Sequence, residues 1–437
     1  MFVVQRSIIR NLRPLLSRGK ASLSAVPPSA SEGLLPPANA SEEAEELTPA
    51  ERRKRRKYKI ATKRPNISLE NPREWNRPLA PNVVPAYDLA LKLLAKDNEG
   101  LKVEVEDLKK EIEGKEARYQ ESKNVQASAE HVRELDEELE RLREKLHVLE
   151  VQSEINLPEV RWKVANAMAR MEIPSHRHLV EQKWRKDGDL DLLMERIYQM
   201  KVVPDLLPEL RPSIDLRLAA SVLPTHVQKV KVVEPGAYLV PDQTIAPPRL
   251  YANVFHTDTR LYTLMLVDPD VPDESKASYG TYLHWLQPNI PLSATQTSQI
   301  LEINNHTRYI PPHPQQGTPY HRYTVLLLPQ PPVDGHVFHY NRNTEARATP
   351  GVPTSQHLDI PVIPDAQRFG FNVRAFCKEW GLSGKRGGGF HLFRQIWDES
   401  VSKIYSDILK QEEPRYGRLP KPDPYVEVIK YRKKYDS

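Results

Sequence analysis

Two aspartates at the end of one apolar run and a histidine within a second apolar run lie in the stretch LMLVDPDVPDESKASYGTYLHWLQPNIP, residues 264–291. Asp268 and Asp270 bracket a proline directly after the first run, and His284 lies within the second. Carboxylates and an imidazole at the end of a buried sheet can hold a ligand, or they can satisfy each other and the nearby backbone. The sequence therefore raises the question of whether this sheet end binds something or only keeps its polar groups paired.

Other patterns that could carry chemistry are incomplete. The stretch GLSGKRGGGF, residues 381–390, lacks the Gly-Lys-Ser/Thr ending of a phosphate-binding loop, and we interpret it as a mobile cationic turn. His336 and His339 are too isolated for a metal site. No Gly-x-Ser-x-Gly motif presents a nucleophile. We predict no catalytic residue, no metal and no cofactor, and hence no enzyme.

Composition limits the elements that can position these residues. The chain has 437 residues, 39% of them hydrophobic, with 40 prolines against 17 glycines. This favours one large core with polar attachments. The single Cys377 excludes an intramolecular disulfide framework and a cysteine-rich zinc site. No apolar run approaches the roughly 20 residues that a membrane helix needs, so we expect a soluble protein without a membrane span, in a reducing compartment.

The first residues have the composition of a targeting segment. Residues 1–31 contain five Arg and Lys, no acidic residue, and apolar residues at helical spacing. An arginine-rich, serine-containing, acid-free amphipathic segment is typical of a mitochondrial transit peptide. The alternative is a disordered basic tail. We predict import into the mitochondrial matrix and removal of residues 1–31.

A basic arm follows over residues 32–87. The first 87 residues hold 16 Lys and Arg against 8 Asp and Glu, whereas the rest of the chain is close to neutral. A cationic arm on a neutral body is typical of a polyanion binder, and a nucleic-acid backbone would bind it with counterion release. A solvated charge run is the alternative, and a nuclear-localisation signal conflicts with the upstream segment. The cations are Arg52, Arg53, Lys54, Arg55, Arg56, Lys57, Lys59, Lys63 and Arg64.

Residues 88–200 are predicted to be helical, with coiled-coil segments. Leu135, Leu139, Leu142, Leu146 and Leu149 step by alternating intervals of four and three, and a shorter seam runs from Leu101 to Ile112. The weaker stretch between the seams predicts a helical hairpin or a broken long helix. The seams are too short for an independent dimer, so we do not expect an obligate homo-oligomer. They dock either on a neighbouring protein or on the chain's own body.

Residues 201–405 change to short apolar runs separated by proline-containing turns, which is typical of strands. The predicted strands are DLRLAAS, RLYTLMLVDPD, YLHWLQPNI, HRYTVLLLPQ and GHVFHY. In order, the motifs VEPGAYLVPD, LMLVDPDVP, LHWL, IPPHPQQGTP and YHRYTVLLL resemble the phosphatidylethanolamine-binding protein family. The resemblance implies an α+β fold overall: an antiparallel β-sandwich of that type, preceded by the long helices and the extended basic arm.

The resemblance also implies a small anion pocket at the surface of the sandwich. The matching positions are Asp268, Asp270, His284, Pro311, Pro312, His321 and Tyr323. Imidazoles can donate to a phosphate, while the aspartates orient the imidazoles or accept a cationic head group. We favour the alternative in which these groups pair with each other and the pocket is vestigial.

The chain departs from the small family members in its long N-terminal region, its expanded turn with His306, Arg308 and His313, and a basic C-terminal extension, residues 406–437. This architecture resembles the ribosomal members of the family, of fungal type, in the mitochondrial large subunit. The resemblance implies a structural role in the central protuberance, with the large-subunit rRNA and other mitochondrial ribosomal proteins as partners. Further RNA-binding candidates are Lys385, Arg386, Arg432, Lys433 and Lys434.

Two alternative functions stay open at this point. One is a mitochondrial protein that binds a phospholipid head group or small anion through the pocket. The other is a protease inhibitor or signalling regulator of the same family.

Overall fold

The computed structural model describes residues 67–124, 129–221, 230–296, 298–300, 303, 305–333 and 352–417. Most of the helices precede the strands of two β-sheets, and two short helices lie later in the chain. Within the described residues, no helix combines the length and the apolar content needed to cross a bilayer. The helices are α1 (Pro85–Asn124), α2 (Ala129–Ile155), α3 (Pro158–Ala165), α4 (Pro174–Lys186), α5 (Asp189–Gln199), α6 (Val202–Asp205), α7 (Val373–Glu379) and α8 (Glu399–Lys403).

Helices α1 and α2 pack against each other as an antiparallel pair. Leu108 and Ile112 of α1 form an apolar cluster with Leu139 of α2. The heptad leucines of α2 thus face the earlier seam of α1 within the same chain. Four ion pairs link the two helices, and the start of α1 pairs with the end of α2, as an antiparallel arrangement requires: Lys102–Glu154, Lys109–Glu150, Lys115–Glu138 and Glu116–Arg143.

The shorter helices connect this pair to the sheets. The ring of Trp184 on α4 is buried and lies 5.7 Å from the ring of Phe255. On α5, Leu193 and Ile197 belong to an apolar cluster that also contains Met265, in the strand Arg260–Asp273. The helical region therefore packs on the chain's own body, which is one of the two alternatives that the sequence left open.

The strands are β1 (Asp215–Ser221), β2 (Val230–Val233), β3 (Ala237–Tyr238), β4 (Arg249–Asn253), β5 (Arg260–Asp273), β6 (Ser278–Leu292), β7 (Gln299–Ile300), β8 (His321–Pro329) and β9 (Gly389–Gln395). They form a four-stranded sheet of order β2-β1-β4-β7 and a five-stranded sheet of order β3-β9-β8-β5-β6. Four predicted strands are confirmed as β1, β5, β6 and β8, whereas GHVFHY lies outside the described residues.

One pairing differs from the antiparallel arrangement that the sequence predicts. The short strand β3 runs parallel to β9, with Ala237 opposite Phe393. The chain leaves β2 in the other sheet through a turn at Gly236, where φ is +79°. The Gly236 N–H then donates to the Leu392 carbonyl at 2.7 Å. Because the chain crosses between sheets here instead of turning back in a hairpin, it enters beside β9 in the same direction.

Strand β5 is buried on both of its faces. Leu264 and Leu266 belong to an apolar cluster that also contains Leu218 of the other sheet. Met265 and Val267 belong to the cluster that contains the α5 side chains. This explains why LYTLMLV is continuously apolar instead of alternating. Burial on both sides fixes the end of β5, where the aspartates begin.

Candidate functional site

The polar residues named from the sequence meet at one end of the five-stranded sheet. Strand β5 lies between β6 and β8, so Asp268, His284 and His321 come from three adjacent strands. The ring of Tyr323 on β8 lies 5.3 Å from that of His284 and 6.4 Å from that of His321. All four side chains are essentially inaccessible to solvent. The site is therefore a cluster inside the protein, and not an open surface pocket.

Asp268 and His321 form a buried ion pair. Asp268 Oδ2 accepts from His321 Nδ1 at 2.7 Å. The Thr318 hydroxyl donates to the Gln315 carbonyl at 2.8 Å, so the His321 Nε2–H donates to Thr318 Oγ1 at 2.9 Å. Burial alone would lower the pKa of His321, but the Asp268 carboxylate outweighs burial and raises this pKa. Both nitrogens of the imidazolium are thus already occupied.

Asp270 has a different partner, because a register irregularity in β5 between Asp268 and Val271 breaks the two-residue alternation. Asp270 accepts from Arg322 Nε at 2.8 Å and from its NH2 group at 2.7 Å. Arg322 also donates to Asp205 on α6 at 2.9 Å. Burial alone would lower the pKa of Arg322, but Asp270 outweighs burial and raises it. Arg322 therefore links β8 to β5 through Asp270 and to the helical region through Asp205.

His284 and His313 are held as neutral rings. His284 Nδ1–H donates to the Ile310 carbonyl at 3.0 Å, and His313 Nδ1–H donates to the Pro311 carbonyl at 2.8 Å. Burial lowers the pKa of His284 well below its usual value and lowers the pKa of His313 to about 4. Since Nδ1 carries the proton in each ring, Nε2 is left as an acceptor. Pro311 and Pro312 are buried in the turn that supplies these carbonyls.

The low pKa of His313 predicts a loss of stability in acid. Because the folded state disfavours the protonated ring, the stabilisation is complete above the ordinary pKa of 6.5 and disappears as the pH falls towards about 4. The effect of this histidine is up to about 3 kcal/mol. In His313→Asn, whose amide can still donate to the Pro311 carbonyl, the free energy of unfolding should depend less on pH over this range. Urea titrations of both proteins at several pH values measure the difference, and equal pH dependence would contradict the assignment.

The C-terminal segment of the described chain covers this cluster. Tyr405 is buried, and its ring lies 5.4 Å from that of His313. Further on, the Tyr416 N–H donates to the Gln316 carbonyl at 2.8 Å. A Cβ atom on Gly317 would lie 1.8 Å from the Tyr416 carbonyl oxygen, so the two segments pack in direct contact. Entry of a head group beside His313 would require this segment to move.

The hydrogen-bonding capacity that remains inside the cluster consists mainly of acceptors. His284 Nε2 and Gln315 Oε1 are buried without a partner. The Tyr323 hydroxyl makes no well-formed hydrogen bond, although burial, and then the nearby Asp268 carboxylate, raise its pKa. A phosphate dianion offers no donor to bare acceptors, whereas a water or an ammonium group does. The arrangement therefore does not suit capture of a fully ionised phosphate.

Lys385 and Arg386 lie in a packed turn instead of the mobile one that we expected. Lys385 Nζ is 3.1 Å from Glu209 Oε2. A Cβ atom on Gly384 would lie 2.6 Å from the Glu209 carbonyl oxygen, and one on Gly388 would lie 2.4 Å from that of Leu327. The glycines thus allow close packing, while RNA contact by the two cations stays a prediction. The remaining RNA-binding candidates lie outside the described residues: 52–57, 59, 63, 64 and 432–434.

Sequence reasoning missed several residues that complete the site. Arg322 lies between His321 and Tyr323 in the motif. Because successive side chains of a strand point to opposite faces, the sequence could have indicated that Arg322 lies on the face opposite to these two residues. Thr318 and Tyr405 have no comparable local signal, because their roles depend on contacts with distant segments. In the part of the chain that the structure describes, no group of three or more His, Cys, Asp or Glu side chains is placed to hold a metal ion.

Comparisons with known proteins identify similar chains. The sequence model of the phosphatidylethanolamine-binding protein family matches residues 229–366. The large ribosomal subunit protein mL38 of Schizosaccharomyces pombe is 27% identical over 276 residues, which are 62% of this chain and 79% of that protein. The protein BROTHER of FT and TFL 1 of Arabidopsis thaliana is 31% identical over 216 residues, 49% of this chain and 91% of that protein. A phosphatidylethanolamine-binding protein structure from Plasmodium vivax aligns with 47% of this chain and 97% of its own, at 17% identity and a TM-score of 0.28.

Proposed function

Because the chain belongs to the phosphatidylethanolamine-binding protein family, and because one of its relatives is a large ribosomal subunit protein, we propose that it is a structural component of the mitochondrial large ribosomal subunit. It binds the large-subunit rRNA and neighbouring ribosomal proteins in the central protuberance, without catalytic turnover. The transit peptide, residues 1–31, directs it to the matrix and is removed there.

The length of the ribosomal match carries this proposal. That match runs over 276 residues, 62% of this chain, whereas the match to the Arabidopsis thaliana relative runs over 216 residues, 49% of this chain. The ribosomal match therefore includes sequence outside the part that this chain shares with that relative. A protein that only bound a small ligand through the family fold would have no need of that additional sequence.

Each part of the chain has its own role in the proposal. The arm, residues 32–87, and the extension, residues 406–437, neutralise RNA phosphates and release their counterions. The helical region, residues 88–200, and the family domain, residues 201–405, pack against protein neighbours, with the two sheets forming the sandwich of the family. The helical pair α1–α2 is a short coiled coil closed within the chain, which leaves its outer face for partners.

The pocket is a structural remnant in this proposal. Its groups are used internally: Asp268 pairs with His321, Asp270 pairs with Arg322, and Tyr405 covers His313. Neutral acceptor rings and an occupied imidazolium are poor partners for an anion. The unpaired Nε2 atom of His284, with the unpaired Oε1 atom of Gln315, favours the alternative, a ligand-binding protein.

Sedimentation of a mitochondrial lysate tests the proposed function. An epitope-tagged chain should migrate with the large subunit, both in intact ribosomes and after the subunits are separated by magnesium removal. His313→Asn should migrate in the same fractions, since the pocket has no part in assembly. An abundant soluble matrix protein that does not bind ribosomes is the control, and it shows where free proteins remain at the top of the gradient. A tagged chain that stays at the top with that control at low salt would overturn the proposal.

A further inference from the structure

A second concave site lies beside the covered cluster, where the end of α5 meets β8. It encloses about 380 Å³ and opens to solvent. Its lining includes Met200 and Lys201 after α5, Tyr279 on β6, and Tyr320 and Arg322 at the start of β8. This volume lies within the range of roughly 300–1,000 Å³ that small-ligand sites occupy.

Exposed tyrosines surround this cavity. Tyr279 is 64% exposed and Tyr320 is 41% exposed, and the neighbouring Tyr238 on β3 is 51% exposed. The rings of Tyr238 and Tyr320 meet edge to face at 6.0 Å. The Arg394 guanidinium lies over both, 3.9 Å from the centre of the first ring and 5.3 Å from that of the second. Clustered aromatic surface of this kind marks a binding site more often than scattered apolar residues do.

Two of the three cations at this site have no acidic partner among the described residues. Asp205 and Asp270 also line the cavity, and both pair with the third cation, Arg322. For Lys201 and Arg394, the described residues provide no carboxylate partner: Arg394 donates instead to the Gly236 carbonyl at 2.8 Å. Lys201 and Arg322 of the lining, together with Arg394 beside it, therefore give three cations against two carboxylates, a net charge of +1 next to the aromatic faces.

We propose that this site binds an unpaired segment of RNA, with one base in the cavity and its neighbours stacked on Tyr279 and Tyr320. Lys201 and Arg394 contact the adjacent phosphates. Every nucleobase offers a flat face to an aromatic ring, so the site tolerates different sequences. The inference rests on the proposed function, and it identifies unpaired rRNA nucleotides as the contact. The charge left on the rim favours RNA over a protein partner.

Fluorescence anisotropy of the purified full chain tests this inference. The probe is a labelled single-stranded RNA of about ten nucleotides, in the size range of such sites. Tyr279→Leu combined with Tyr320→Leu removes two stacking faces and should weaken binding about 10–100-fold or more. Tyr279→Phe with Tyr320→Phe keeps the faces and should bind like the native chain. Tyr119→Leu is the matched control, because Tyr119 also has a cation over its ring, Lys123 at 4.8 Å, but lies on α1, away from the cavity and from the basic arm.

The salt dependence of RNA affinity distinguishes the contribution of the tyrosines from that of the cations. Lys201→Gln should lower the slope of log affinity against log salt by about 1, whereas the leucine variants should leave the slope unchanged. Lys378→Gln, at another exposed lysine, should change neither quantity. The inference is overturned if the double leucine variant binds RNA as tightly as the native chain. That result, together with loss of incorporation into the subunit, would assign the surface to a protein partner. A native chain that sediments with the subunit but binds no single-stranded RNA overturns this inference alone.

Discussion

Replacing Asp268 by alanine should lower the free energy of unfolding by about 3–5 kcal/mol, the cost of removing one partner from a buried ion pair. The Asp268 side chain is 2% exposed and that of its partner His321 is 1% exposed. The carboxylate also accepts from the Asp270 N–H at 2.9 Å. Without it, the imidazolium must lose its proton or remain buried without a counter-charge. Urea unfolding followed by tryptophan fluorescence measures the loss.

Two variants control this result. Asp359→Ala removes the same residue type from a histidine pair at the surface, where the Asp359 and His357 side chains are 96% and 66% exposed. Such exposed pairs contribute little, so we expect a change within about 0.5 kcal/mol. Asp268→Asn keeps an oxygen for the Asp270 N–H and allows His321 to be neutral, so it should recover much of the loss. Equal destabilisation by Asp268→Ala and Asp359→Ala would contradict a structural role for the buried pair.

The same pair has a signature in alkaline solution. The pKa of His321 is raised in the folded protein, so its stabilisation is complete below the ordinary pKa and is lost as the pH rises through the folded value. Asp268→Ala should remove this alkaline loss. The acid loss caused by His313 runs in the opposite direction, so a pH series distinguishes the two histidines.

The strands and the composition of the site could be predicted from the sequence. The apolar runs of β1, β5, β6 and β8 are long enough to specify strands, and the motifs around Asp268 and His321 place both groups at strand ends. The heptad leucines likewise indicate α1 and α2. These features depend on local patterns, which is why one sequence is sufficient to find them.

The partners of these groups could not be predicted. Regular alternation would place Asp268 and Asp270 on one face, but the irregularity in β5 gives them different partners, His321 and Arg322. The cover over His313 comes from Tyr405, which is 92 residues away in the chain. Such contacts are set by the packing of segments that are distant in sequence, and no local pattern specifies them.

The glycine-rich stretch shows the same limit. Its composition indicates a flexible turn, yet Gly384 and Gly388 are required because neighbouring carbonyl oxygens occupy the space of a side chain. The exposed tyrosines around the second cavity also have no sequence signal, since Tyr238, Tyr279 and Tyr320 come from three separate segments. Only the folded chain brings them to one surface.

Neutralising the basic arm should cause the largest loss of RNA binding. The nine cations between Arg52 and Arg64 can contact at most nine phosphates. Proteins that make about 6–10 phosphate contacts lose roughly 10³–10⁵-fold in affinity when the salt concentration rises from about 50 to about 200 mM. With all nine replaced by glutamine, we expect binding to fall about 10³-fold at the lower salt concentration and to depend far less on salt. Binding of labelled rRNA fragments across a salt series measures both effects.

A pair of triple variants tests whether RNA binding depends on the position of the cations or only on the net charge of the chain. Replacing Arg52, Arg53 and Arg55 by glutamine should lower the salt slope by about 2–3, because each cation that contacts a phosphate contributes slightly less than one to it. The control replaces Lys110, Arg133 and Lys163, which pair with carboxylates one turn away on their own helices. Both triple variants change the net charge equally, but the control cations already have partners and should leave the slope almost unchanged. If the two variants lost the same affinity, overall charge would explain the binding, and the arm would have no specific part in holding the chain on RNA.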